Sequence, residues 1–230
     1  MTDTTQATTP DDGNQGHGSE VLYEVADHVA TITLNRPHRR NAISVRMLQL
    51  LGERFSEADD DGDVRVVILT GAGKGFCSGL DIKDAMAGTG IGSGSGGVGG
   101  ASFLQTRNLP TVVLQEMDTP VLCALNGAAA GYGLDLALGC DLRLMASSAT
   151  LLPGFAKRGV VPESGGTWYL PRLLGWAKAA EIAYLGRDID AAERSGSGWS
   201  TGPSPTRNWV RWPASGRRRS RPTHRWRYGP

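Results

Sequence analysis

An α/β fold is what the sequence predicts between Glu20 and Glu193, and three observations predict it. Short runs rich in β-branched residues alternate with longer segments of helical periodicity. Turns rich in glycine and proline separate the two kinds of run. No linker-like composition divides the stretch, so it reads as one layered unit with right-handed crossovers.

The elements follow in order. Residues 1–19, MTDTTQATTPDDGNQGHGS, carry almost no large apolar side chains and are expected to form a disordered arm. VLYEVADHVATITLN alternates with period two around Asp27 and His28, the pattern of a β-hairpin. Ser44 is the expected N-cap of a helix over SVRMLQLLGERFSEADDD. VRVVILTG is a short, buried strand. After GAGKGFCSGLD come a short helix and then GTGIGSGSGGVGG at residues 88–100, too rich in glycine to hold one conformation. SFLQTRNLPTVVLQEMD is expected to be mostly helical despite Pro110, and Pro120 opens the strand PVLCALNG. YGLDLALGC is almost wholly apolar and predicts a buried helix, with DLRLMAS as the next strand.

Hydrophobic residues make up 40% and charged residues 20%, ordinary values for a soluble globular chain. The net charge of +1 conceals an imbalance. From Arg194 onward there are nine arginines and no acid, which leaves 15 basic against 23 acidic residues before it, a net of −8. Arginine-rich segments can bind nucleic acid or membrane, but this one lacks lysine and any repeated motif, so neither partner is expected. Cys77, Cys123 and Cys140 cannot all pair with one another, and no Cys/His spacing suggests a metal. With no signal peptide and no long apolar span, a reduced, cytoplasmic protein is expected.

Four stretches can carry chemistry. NRPHRRNAIS reads as a strand end, a turn and a helix start, and its Arg36, His38, Arg39 and Arg40 could equally attract an anion such as a phosphate. GAGKGFCSGLD is a glycine-rich turn after a buried strand, which lets backbone N–H groups face a cleft. It is no phosphate-binding P-loop, because no Gly-Lys-Ser/Thr ends it, and no histidine motif activates Cys77, which reads as a packing residue. In NGAAAGYGLDLALGCD an apolar helix begins near Tyr132, and the free N–H groups of a helix start suit a developing oxyanion. Asp135, inside its first turn, is either a dipole-compensating cap or a functional acid. Glu163, in GVVPESGGTWYLPRLLG, is taken alone a turn or helix-start carboxylate.

Taken together and in this order, the four stretches resemble the enoyl-CoA hydratase/isomerase, or crotonase, superfamily over roughly Glu20 to Glu193. The resemblance implies a spiral of ββα units (the ClpP/crotonase type) and an acyl-CoA thioester as substrate, with coenzyme A as part of it and no separate cofactor. It implies a thioester enolate held by the backbone N–H groups of Ser78 and Tyr132. Ser78, Gly79, Leu80, Asp81, Arg36, Arg40 and Phe155 would line the substrate. Hydratases of the family use two Glu residues, which fall here on Asp135 and on Phe155, and a Phe moves no proton. Glu163 matches an acid used by some isomerases of the family, such as dienoyl-CoA isomerases, which also have Asp at the Asp135 position. Double-bond isomerisation with Asp135 and Glu163 as the acid–base pair is therefore expected. Hydration of a 2-enoyl-CoA is the alternative, an inactive CoA-binding remnant a further one, and thioester hydrolysis and dehalogenation also occur in the family.

The family usually forms trimers or hexamers whose C-terminal helices cover the site and should follow DIDAAE. They do not: residues 194–230 contain no Leu, Ile, Asp, Glu or Lys and are expected to be disordered, with the helical lid missing or replaced. With one choice of codons, SGSGWSTG read in a shifted frame becomes Gly-Leu-Gly-Leu-Val-Asn-Arg, which is what the family places there. The unique Trp199 codon restricts that choice, and a frame shift close to Glu193–Arg194 is the expected origin of the change.

Overall fold

The computed structural model describes residues 19–87, 109–160 and 164–189 and the backbone of 203–204. The expected N-terminal arm up to residue 18, the glycine-rich stretch at 88–100, Glu163 and nearly all of 194–230 lie outside the described residues.

Strand β1 (Val21–Ala26) pairs antiparallel with β2 (Val29–Leu34), Val21 opposite Leu34. The two turn residues, Asp27 and His28, have φ of 50° and 66°, the doubly left-handed geometry of a tight hairpin whose twist suits the strands. On β2 the alternation expected from the sequence puts Ala30, Ile32 and Leu34 inside. Helix α1 (Val45–Asp60) starts at Ser44, whose Oγ accepts the Met47 N–H at 3.0 Å and satisfies one of the four N–H groups a helix start leaves open. Met47, Leu51, Phe55 and Ala58 recur at helical spacing and are fully buried.

The helix returns the chain to β3 (Val66–Gly71), parallel to β2. Next come α2 (Ile82–Met86), α3 (Pro110–Glu116) and β4 (Val121–Leu125), parallel to β3. Pro110 stands in the first turn of α3, not inside a helix as the sequence suggested; there its missing N–H costs nothing. A short strand β5 (Ala129–Ala130) leads into α4 (Tyr132–Gly139), and β6 (Leu142–Ala146) runs parallel to β4. Then follow β7 (Leu151–Leu152), α5 (Gly166–Leu174) and α6 (Trp176–Leu185). The main sheet has the order β1-β2-β3-β4-β6-β8, the last being Pro203–Ser204. Two residues of the segment expected to be disordered therefore pair with β6. Such pairing uses backbone groups alone, and proline is tolerated on an edge strand.

Strands β3, β4 and β6 are each followed by a short extended piece that joins a second layer. There β5 pairs with β7, Cys77 bridges Ala129, and Leu151 bridges Ile189. This is the strand–strand–helix repeat that the family resemblance implies, and the second layer brings the turns after β3, β4 and β6 together. Helix α4 is buried on nearly all sides. Its last carbonyls are capped from within by Arg143 on β6, whose Nη1 donates to Cys140 O at 2.6 Å, Leu138 O at 3.3 Å and Ala137 O at 3.4 Å. Among the described residues no helix is long and apolar enough to cross a membrane.

Candidate functional site

The turn after β3 and the turn after β4 meet edge to edge. Phe76 and Cys77 both donate their N–H to Ala128 O at 3.1 Å, and Ala130 returns a bond to Cys77 O at 2.9 Å. The contact tightens at Gly79, whose φ of 96° only glycine adopts freely. A Cβ there would lie 3.0 Å from Ala130 O and 3.6 Å from the Tyr132 nitrogen, so the segments carrying Ser78 and Tyr132 run side by side at backbone distance.

Gly131, at φ 50° and ψ −122°, turns the chain into α4. The N–H of Tyr132, first residue of that helix, meets no acceptor among the described residues, as expected of a helix start. The Tyr132 phenol points inward beside Thr111, and burial pushes its pKa up. Asp135, one turn further, is 1% exposed and donates its own N–H to Gly131 O at 3.1 Å. Ser78 is exposed, and its N–H donates to Arg40 O at 3.1 Å. Arg40 and Asn41 both have φ of 53°, which aims the Arg40 carbonyl at that amide.

Arg36 and Asp81, expected on the substrate side, are bound to each other. Asp81 is 5% exposed and accepts from Arg36 Nη1 at 2.9 Å, from Arg39 Nη2 at 2.8 Å and from the Lys83 N–H at 3.1 Å. Arg36 also reaches Glu20 at 3.0 Å and Ala42 O at 2.7 Å. Burial by itself would raise the Asp81 pKa, but the hydrogen bonds from Arg39 and Arg36 outweigh it and hold the carboxyl below its ordinary value. A polar surface recess of about 550 Å³ opens beside this network, lined by Glu20, Asn35, Pro37, His38 and Asp84 together with the two arginines. Arg40 is exposed, and its guanidinium has no partner among the described residues. Leu80 is half-buried and bridges Ile43, so the stretch after Ser78 is stitched to the start of α1.

Phe155 is 6% exposed and belongs to the core. Its segment is tied to the head of α4 through β5–β7 and by the Gly131 N–H on Leu152 O at 3.3 Å. The structure thus brings Ser78, Gly79, Tyr132 and Asp135 to one place by two turns and one helix, with Phe155 following the adjoining strand; Glu163 is outside the described residues.

All three cysteines are free and buried. Burial pushes the Cys77 thiol up to about 12, against a slight lowering by the Gly79 N–H on its sulfur. At pH 8 only about one molecule in ten thousand then carries a Cys77 thiolate. Iodoacetamide at that pH is expected to leave Cys77 unlabelled in the folded chain and to label it after denaturation, as read from peptide masses. Rapid labelling of the native chain would return Cys77 to the list of nucleophiles.

Three residues were not singled out from the sequence. Asn41 and Asn126 hold the turn after β3, and Gly133 packs on Cys77, where a Cβ would sit 2.6 Å from the Cys77 Cβ. The two asparagines stand inside the quoted motifs, each one residue or a few from a turn, where a carboxamide serves most readily as a backbone substitute.

Residues 24–201 match the family described as "Enoyl-CoA hydratase/isomerase". A 1,2-epoxyphenylacetyl-CoA isomerase of Escherichia coli is 39% identical over 173 residues, 75% of this chain and 65% of that protein. A probable enoyl-CoA hydratase of Rhodobacter capsulatus is 36% identical over 195 residues, 80% of this chain and 68% of that protein. The chain thus spans about two thirds of the length of these curated relatives. Among solved structures, a probable enoyl-CoA hydratase/isomerase from Mycobacterium abscessus superposes with a TM-score of 0.70 at 33% identity, covering 81% of this chain and 68% of that one.

Proposed function

Because the chain belongs to the enoyl-CoA hydratase/isomerase family, we propose that it moves the double bond of an unsaturated acyl-CoA through an enolate held by the amides of Ser78 and Tyr132. The observation that carries this reading is the acid inventory beside those amides. Asp135 is buried one turn into α4, while Phe155, where hydratases of the family place their second acid, is an apolar core residue. The similarity to a relative named as a CoA-thioester isomerase supports it.

In this reading a proton leaves C2 of a 3-enoyl thioester to Glu163. The electron pair left at C2 spreads through the carbonyl onto the thioester oxygen and through the C3–C4 double bond to C4; the oxygen takes the Tyr132 N–H and displaces Arg40 O from the Ser78 N–H. The partial positive charge at the head of α4 favours that oxyanion. The proton returns at C4, with Asp135 assisting, and the 2-enoyl thioester results. Phe155 keeps water from the enolate, so it is reprotonated and not hydrated. The acyl-CoA is the substrate, no further cofactor enters the scheme, and an assembly of three or six copies is expected only of a chain that carries the family's C-terminal helices.

Glu163→Gln is expected to lower turnover of a 3-enoyl-CoA by about 10²–10⁴-fold, the usual contribution of a positioned general base. Undiminished turnover would remove Glu163 from the mechanism. Hydration is the second reading, favoured by the similarity to a probable enoyl-CoA hydratase. Fast addition of water to crotonyl-CoA by the unsubstituted chain would establish it and overturn the role given to Phe155. Acyl-CoA binding without turnover of either substrate would leave a non-catalytic remnant.

A further inference from the structure

We infer that Asn41 and Asn126 are positioning residues for the Ser78 amide, acting through the carbonyl of Gly75 that both of them hold; this rests on the reading of Ser78 as an oxyanion donor. The turn between β3 and Phe76 has few ladder bonds of its own, and two carboxamides take their place. Asn41 is fully buried. Its Nδ2 donates to Ala72 O and to Gly75 O, both at 2.9 Å, and its Oδ1 accepts the Arg36 N–H at 2.9 Å. Asn126 reaches the same turn from the end of β4. Its Oδ1 accepts the Gly71 N–H at 3.2 Å, and its Nδ2 donates to Gly73 O at 3.0 Å and to Gly75 O at 3.2 Å.

A carbonyl oxygen has two lone pairs, and at Gly75 the two asparagines take both. The direction of that peptide plane is therefore fixed from two elements at once. Ser78 lies three residues on, and the intervening Phe76 and Cys77 share one acceptor, Ala128 O, so they cannot absorb a rotation of Gly75 independently. Until a thioester oxygen displaces Arg40 O, Asn41 has a second hold on the same amide. Its side chain anchors a backbone at φ 53°, a left-handed conformation that asparagine tolerates better than most residues, and the preceding Arg40 carbonyl takes the Ser78 N–H. Neither carboxamide is bonded to the Tyr132 amide. Both act on Ser78 through backbone.

The test uses Asn41→Gly, which keeps the left-handed backbone accessible and removes the carboxamide, and Asn126→Asp, which keeps the acceptor for Gly71 and removes the donors. Both are made singly and together in the full chain. With a 3-enoyl-CoA each is expected to lower kcat by about 10- to 100-fold with KM within about twofold, the signature of a misplaced transition-state contact. Because both act on one carbonyl, the double variant should lose less than the product of the two single losses. Without substrate, the Ser78 amide should exchange with solvent at least about tenfold faster in each variant.

Unchanged Ser78 exchange in folded variants would overturn the inference. So would losses that appear only as unfolded protein, with kcat per folded molecule unaltered. If the unsubstituted chain shows no turnover while both changes still loosen the Ser78 amide, the isomerase reading falls and the clamp stands.

Discussion

Asp81→Ala is expected to destabilise the chain by about 2–3 kcal/mol, because it removes the buried carboxylate that ties Arg36, Arg39 and the start of α2 together. The Arg36 side chain is only 10% exposed, and its Nη1 is held by Asp81. Removing the carboxylate leaves the Arg36 charge paired with Glu20 on Nε at 3.0 Å, while Nη1 keeps only the Ala42 carbonyl. The first turn of α2 loses its cap at the same time, since Asp81 Oδ1 accepts the Lys83 and Asp84 N–H groups. Urea unfolding measures the loss; a shift of less than about 1 kcal/mol would mean that the network is no better than a surface pair.

The same network gives stability a pH dependence of known sign. The Asp81 carboxyl is held below its ordinary value in the folded chain. Its contribution is therefore complete above the unfolded-state pKa, about 3.9, and is lost as pH falls through the lower folded-state value. Asp81→Ala should flatten that part of the acid-unfolding curve.

Gly133→Ala is expected to destabilise by about 1–3 kcal/mol and to cost about 10²-fold in turnover. Alanine is the better helix former by about 1 kcal/mol, so propensity favours the change and packing must decide against it. A Cβ at Gly133 would lie 2.6 Å from Cys77 Cβ, 2.7 Å from Cys77 O and 2.8 Å from Cys77 Sγ. The Cβ and O of Cys77 are fixed by its backbone, and Cys77 O is bound to the Ala130 N–H. Relief comes only by moving α4 away from the Cys77 segment, which separates the Tyr132 amide from Ser78. Gly62→Ala is the control, since a Cβ there meets nothing within 4 Å. Thermal melting and steady-state rates on both variants decide the matter; a Gly133→Ala chain as stable and as active as the control would show that α4 does not pack as described.

What the sequence disclosed and what it withheld divide along the range of the forces involved. The hairpin at Asp27–His28 and the Ser44 cap were legible because each is decided within four residues, by turn conformation and one side-chain bond. The ββα order and the meeting of the Ser78 and Tyr132 segments were legible through extended motifs that resemble a family. The Arg36–Asp81 pair was not, because its partners are 45 residues apart and only the folded sheet chooses between them and a substrate phosphate. The two asparagines are illegible in the sequence for a similar reason: their amides serve carbonyls of a turn 31 to 53 residues away. Pro110, expected within a mostly helical stretch, opens α3, because apolar periodicity does not tell the first turn of a helix from its middle.

The arginine inside the C-terminal end of α4 bears on how the chain behaves in salt. Arg143 is 7% exposed, and its guanidinium sits on the last carbonyls of an eight-residue helix. Eight residues span about 12 Å, so this charge adds to the potential at the head of the helix by roughly 1 kcal/mol per unit charge at an effective dielectric of 20. Mobile ions screen exposed charges over about 8 Å at physiological ionic strength but do not enter a packed interior. The pull that the head of α4 exerts on negative charge is therefore carried by groups the electrolyte does not reach, and it should persist at salt concentrations that would erase the influence of an exposed arginine such as Arg40.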